Sequence, residues 1–229
     1  MDQRPYIPET LYHVLLTTSH IDKDPHSPMI EKLLVPGTYT SLLQAKAAAH
    51  SCLYEAGYEK EFFETYEVAP GHVEGHEHEP HIIIHATATD GTTFRVRIRN
   101  TRNDTGLPAS DLADGRVSVP LYYVIQVNTV YDGDEGGSTV QNIDVQGVFT
   151  AYAEARKFAS RVLLSSEDGI TRDSFVQYSE AGPSETDCGY GENVVLHAAL
   201  ENGTEYLVNV VKTQELEALG VAEAAMRIR

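Results

Sequence analysis

Tryptophan is missing from this 229-residue chain, and cysteine nearly so. Large aromatic surface must therefore come from 13 tyrosines and 6 phenylalanines, and tyrosine joins apolar area to a polar tip that suits half-buried strands and recognition surfaces. Only Cys52, in an Ala-rich helical pattern, and Cys188, in a Gly-rich stretch, occur. They give no disulfide framework of the kind small secreted domains depend on, so a reduced, cytoplasmic setting is expected.

Basic residues are scarce as well. Lys and Arg number 17 against 34 acidic residues, for a formal charge of −17, and that field repels a phosphate backbone, so nucleic acid is not an expected partner. The opening Met1-Asp2-Gln3-Arg4-Pro5 has no basic segment followed by an apolar core, and no apolar run in the chain approaches the length of about 20 residues that spans a bilayer. No membrane partner is expected either. A Gly-rich phosphate loop, a dinucleotide fingerprint, a serine nucleophile elbow and a Cys-x-x-Cys pair are all lacking, which removes the usual signatures of nucleotide, hydrolase and redox chemistry.

What is present is an internal repeat. Leu11-Tyr12-His13-Val14 recurs as Leu121-Tyr122-Tyr123-Val124, an offset of 110 (121 − 11). The same offset maps Asp22-Lys23-Asp24 onto Asp132-Gly133-Asp134 and Gly37-Thr38-Tyr39-Thr40 onto Gly147-Val148-Phe149-Thr150. Further along it becomes 112 (197 − 85): His85 falls on His197, and Thr89-Asp90-Gly91-Thr92 on Glu201-Asn202-Gly203-Thr204.

Each copy opens with a β-branched apolar stretch (Leu11 to Thr18; Leu121 to Val130), a polar turn and a second strand near Met29 to Val35 or Thr139 to Gln146. A helix follows. Ser41 and Gln44 have capping-box spacing, and Thr150 stands at the N-cap position of the second copy. The expected inward stripes are Leu42, Ala45, Ala49, Cys52 and Leu53, and then Tyr152, Ala155, Ala159, Val162 and Leu163. A third strand (Phe62 to Val68; Ser174 to Glu180) leads to a closing hairpin with Asp90-Gly91 or Asn202-Gly203 at its tip. These dipeptides suit a two-residue type I′ turn, which would set His85 and His197 on the face of Phe94 and Tyr206.

The fold class expected is α+β: a tandem duplication of a strand-strand-helix-strand-strand-strand unit with mainly antiparallel sheets and a C-terminal helix from Gln214 to Arg229. The first repeat covers 1–105, a linker rich in Asn, Asp, Gly, Pro and Ser covers 106–120, and the second repeat with its C-terminal helix covers 121–229. The second sheet face carries apolar residues such as Val194, Leu196, Leu207 and Val211, more than a solvated face shows. A pseudo-two-fold pairing of the halves, or a homodimer, would cover it.

Candidate chemistry lies in three places. His72, His76, His78 and His81 share a loop with Glu74, Glu77 and Glu79, a donor set that suits a divalent transition metal such as zinc. The corresponding stretch of the second copy, Ala181 to Glu192, holds no histidine, so a solvated connection without cofactor is the plainer expectation. Asp22 with Asp24 and Asp132 with Asp134 fall short of a calcium shell and are turn residues by type. His85 and His197 are the matched histidines, each a base or ligand if it faces a cavity and a satisfied core residue otherwise. Arg95, Arg97 and Arg99 form a basic stripe that could hold a carboxylate or phosphate, or pair with acidic side chains.

No nucleophile stands at motif distance from a base. The expectation is a non-enzymatic binding or interaction protein, with a small molecule or another protein as partner. The alternative is a small hydrolase, lyase or isomerase with a metal or histidine site near His72 to His85.

Overall fold

In each half the alternating apolar residues pair as antiparallel strands around one helix. The computed structural model describes residues 6–20, 32–68, 82–110, 112–132 and 137–213. The His72–His81 loop, Asp22, Asp24, Asp134 and the expected helix from Gln214 to Arg229 lie outside them. Two compact units emerge, one containing the described residues up to Val119 and the other running from Pro120 to Lys212. Among the described residues no helix is long and apolar enough to cross a membrane.

The first unit contains β1 (Thr10–His20), β2 (Lys32–Tyr39), α1 (Leu42–Glu55), β3 (Phe63–Val68), β4 (Ile82–Ala88) and β5 (Thr92–Arg102). The second contains β6 (Tyr122–Asp132), β7 (Gly137–Phe149), α2 (Tyr152–Ala159), β8 (Gln177–Glu180), β9 (Val194–Ala199) and β10 (Thr204–Lys212). The sheets are five-stranded, ordered β2-β1-β5-β4-β3 and β7-β6-β10-β9-β8. Element for element the order is the same. The protein is thus an α+β fold of two similar halves.

Local details repeat too. The β1–β2 ladder shifts register beyond Val14, and the β6–β7 ladder shifts beyond Val124, the matched position. Pro36 sits in the first irregularity, on an edge strand, where its missing N–H leaves no ladder bond unmade. Gly37 and Gly147 follow, and each lies beneath the aromatic ring two residues on. A Cβ at Gly37 would stand 2.9 Å from the Tyr39 hydroxyl, and one at Gly147 would stand 2.8 Å from the Phe149 ring.

The cores lie between each helix and its sheet. Ala45, Ala49, Cys52 and Leu53 of α1 pack with Val14, Leu16, Ile84, Ala86, Phe94, Val96 and Ile98. Tyr58, Phe62, Phe63 and Phe94 close one end, with ring centroids 5.0–6.2 Å apart. In the second unit Ala155 and Ala159 pack with Val124, Leu196, Ala198, Val208 and Val210. The helix stripes differ from expectation at their ends: Leu42 and Tyr152 are exposed, and α2 stops at Ala159, with Val162 and Leu163 packing from the turns beyond it. Neither expected cap forms. The Ser41 side chain makes no cap bond, and the N-cap of α2 is Ala151 instead of Thr150. At its C-terminus α1 ends in a Schellman motif, with Gly57 at φ 87, Gly57 N–H donating to Tyr54 and Tyr58 N–H to Leu53.

The closing hairpins depart from the expected type I′ turn. Thr87 pairs with Thr93, leaving the three-residue loop Thr89-Asp90-Gly91. Gly91 N–H donates to Ala88, and Gly203 N–H to Leu200. Only the glycines have positive φ, 84° and 81°, whereas a type I′ turn would also require it at Asp90 and Asn202. One extra loop residue flips the faces. His85 therefore pairs with Arg95, and His197 with Leu207, both on the face away from the helix. The two histidines keep equivalent places in the two halves.

Candidate functional site

The described residues between Asn103 and Val117, most of them within the expected linker 106–120, fold onto the first unit. Asn103 organises it: its side-chain amide donates to the Pro8 and Leu107 carbonyls at 2.8 Å each, and its side-chain oxygen accepts from the Leu107 N–H at 2.9 Å. Val117 N–H then donates to Thr38, and Arg116 bridges to Tyr39 at the end of β2. Ala113, Asp114 and Arg116 thereby face one side of α1 across a cleft of about 670 Å³.

The cleft runs the length of the helix. Gln44, Ala47, Ala48, Ser51 and Glu55 line it from α1, at the helical spacings that share a face. Val14, Pro36 and Tyr39 line it from the sheet. Gly115, at φ +70, passes so close to Gln44 that an added Cβ would overlap that side chain, which fixes the Asp114–Arg116 turn at the N-terminal end of α1. At the other end the Ser51 hydroxyl donates to the Glu55 carboxylate at 2.6 Å. The Arg116 guanidinium lies 3.6 Å from Asp114, with both side chains about half exposed.

The Tyr39 hydroxyl feels charges from both ends of the cleft. Burial pushes its pKa up to about 12, with Arg116 pulling it down and Asp114 and Glu55 adding to the rise. At neutral pH it is a donor and not a base. Among the described residues the lining holds hydrogen-bonding groups and charges of both signs over a small apolar floor, but no imidazole. Its size and polarity are those of a small-ligand site.

Of the residues singled out in the sequence, His85, Arg95, Arg97 and Arg99 share one face of the first sheet. Arg95 donates to the Ser19 hydroxyl at 3.1 Å and Arg97 to the Thr17 hydroxyl at 3.0 Å, so neighbouring strand hydroxyls engage part of the stripe. In the second unit Leu207, Asn209 and Val211 occupy the matched places. His197 is buried there, stacked on Tyr190 at 3.8 Å and 11°. Neither of its ring nitrogens has a hydrogen-bond partner among the described residues. Glu205 stands 3.7 Å away, too far for a hydrogen bond. Burial lowers the His197 pKa and Glu205 works against that. Among the described residues no group of three or more His, Cys, Asp and Glu is placed to hold a metal ion.

The sequence reading missed Tyr39, Gln44, Ser51, Glu55, Asp114 and Arg116 as site residues. The available signal was a polar, small-residue stripe on α1 beside its buried one. No family model, curated protein or solved structure matches the chain.

Proposed function

We propose that this is a non-enzymatic binding protein, built from a duplicated α+β unit, that takes a ligand in the cleft between α1 and residues 113–116. The observation that carries the reading is the cleft's lining. Six polar side chains, Tyr39, Gln44, Ser51, Glu55, Asp114 and Arg116, converge from the end of a strand, a helix and a loop on one concave surface. Its volume of about 670 Å³ falls in the range that holds small ligands. The shared element order and strand order of the halves support the duplication. Free Cys52 and Cys188 fit a cytoplasmic setting.

A thermal-shift screen of a metabolite library tests the reading, run on the wild type and on Ala47→Phe. Ala47 is exposed on the cleft wall, so the added ring fills the cleft without entering the core. Compounds that raise the wild-type Tm should lose that effect in the variant. A library that stabilises neither protein, or both equally, counts against a ligand at this place.

A further inference from the structure

We propose that the cleft takes a short peptide with free termini, laid along α1 with its ammonium end at Glu55 and its carboxylate end at Arg116. This deepens the binding reading above and rests on it.

Charge placement gives the direction. Glu55 is the last residue of α1, and its carboxylate is held by the Ser51 hydroxyl at the cleft's edge. Arg116 lies at the opposite end, fixed there by the bridge to Tyr39 and by the contact of Gly115 with Gln44. Asp114, 3.6 Å from the Arg116 guanidinium, orients it. The helix field runs the same way. Its N-terminal end is positive and its C-terminal end negative, and α1 has no acidic residue in its first turn and no basic residue in its last turn to offset this. An anion is favoured near Gln44 and a cation near Glu55.

Length gives the size. The eleven steps from Gln44 to Glu55 amount to roughly 16 Å at the helical rise, and an extended chain at about 3.4 Å per residue covers that with about five residues. Between the charged ends, Ala47, Ala48, Val14 and Pro36 leave room for small side chains, while Gln44, Ser51 and the Tyr39 hydroxyl can bond peptide groups. A free amino acid would reach only one of the two charges. A peptide blocked at either end would lose one.

Isothermal titration of the full chain with pentaalanine, N-acetyl-pentaalanine and pentaalanine amide tests this. The free peptide should bind, and blocking either end should weaken binding at least tenfold. Glu55→Gln should abolish the discrimination against the acetylated peptide while keeping that against the amide, and Arg116→Gln should do the reverse. Both side chains are surface-exposed or nearly so, and an unchanged Tm establishes that each variant is folded. Absence of binding by pentaalanine at millimolar concentration, or equal binding of free and blocked peptides, overturns the peptide assignment. If library compounds still stabilise the wild type and not Ala47→Phe, the cleft remains a ligand site and only the peptide assignment falls.

Discussion

His13 is completely buried on the face of β1 away from α1, and both of its ring nitrogens are used. Nδ1 lies 2.8 Å from the Thr38 hydroxyl and Nε2 2.8 Å from the Thr101 hydroxyl. A neutral imidazole meets two hydroxyls well, since each hydroxyl can donate or accept. Burial drives the pKa down to about 3 from the usual 6.5. The unfolded chain therefore takes up this proton first, and the contribution of His13 is complete above pH 6.5 and is lost as pH falls toward 3. Each unit of pH in that window costs about 1.4 kcal/mol. Urea unfolding at pH 7 and pH 4 should show the stability gap between the wild type and His13→Gln shrinking by about 3 kcal/mol; parallel losses in the two proteins would show that this imidazole does not titrate differently on unfolding. The repeat placed His13 opposite Tyr123, but nothing in the sequence pairs it with Thr38 and Thr101, which come from the two flanking strands. Gln44 is a similar case. Its spacing from Ser41 suggests a cap, whereas Gly115, reached only through a later fold of the chain, sets it in the cleft wall.

The elements were legible because each has a period: two in the strands, and 3.6 in Ala45, Ala49, Cys52 and Leu53 of α1. Register was not, because it depends on a single loop residue. Asp90-Gly91 and Asn202-Gly203 suit more than one turn type, and the pairing of Thr87 with Thr93 selects the three-residue loop with glycine in the left-handed position. The consequence reaches the chemistry, since it moves His85 and His197 from the helix face to the opposite one. Gly91→Ala and Gly203→Ala should each cost about 1–2 kcal/mol for forcing a Cβ into that backbone region. Asp90→Ala and Asn202→Ala lose the side-chain bonds to Thr92 N–H and Thr204 N–H, at 3.0 and 3.1 Å, and should cost about 0.5–1 kcal/mol for that loss. Denaturant titration of the four variants separates the turns: costs as high at Asp90 and Asn202 as at the glycines would restore the type I′ assignment. Edge features behave likewise. Pro36 and Gly37 look like a break in β2, and instead form its irregularity and the seat of Tyr39.

For the molecule as a whole, composition located the boundary between halves only coarsely. Residues 106–120 have the polar, Gly- and Pro-containing character of a connector, yet they belong with the first unit as far as Val119. Composition misleads here because a few residues decide the matter. Leu107 is 7% exposed, and Asn103 satisfies three backbone groups at once, which turns a segment with little apolar surface into a fixed wall. That wall supplies Ala113, Asp114 and Arg116 to the cleft, so the binding site depends on what reads as a spacer. In the full chain, Leu107→Ala should cost about 2 kcal/mol from lost burial, and Asn103→Ala about the same from the backbone groups it strands. Both variants should also weaken ligand binding in the cleft, although neither residue lines it. A linker would give a different result: stability within about 0.5 kcal/mol of wild type and unchanged affinity in both variants would return residues 106–119 to the role of a tether and leave α1 with an open face in place of a cleft.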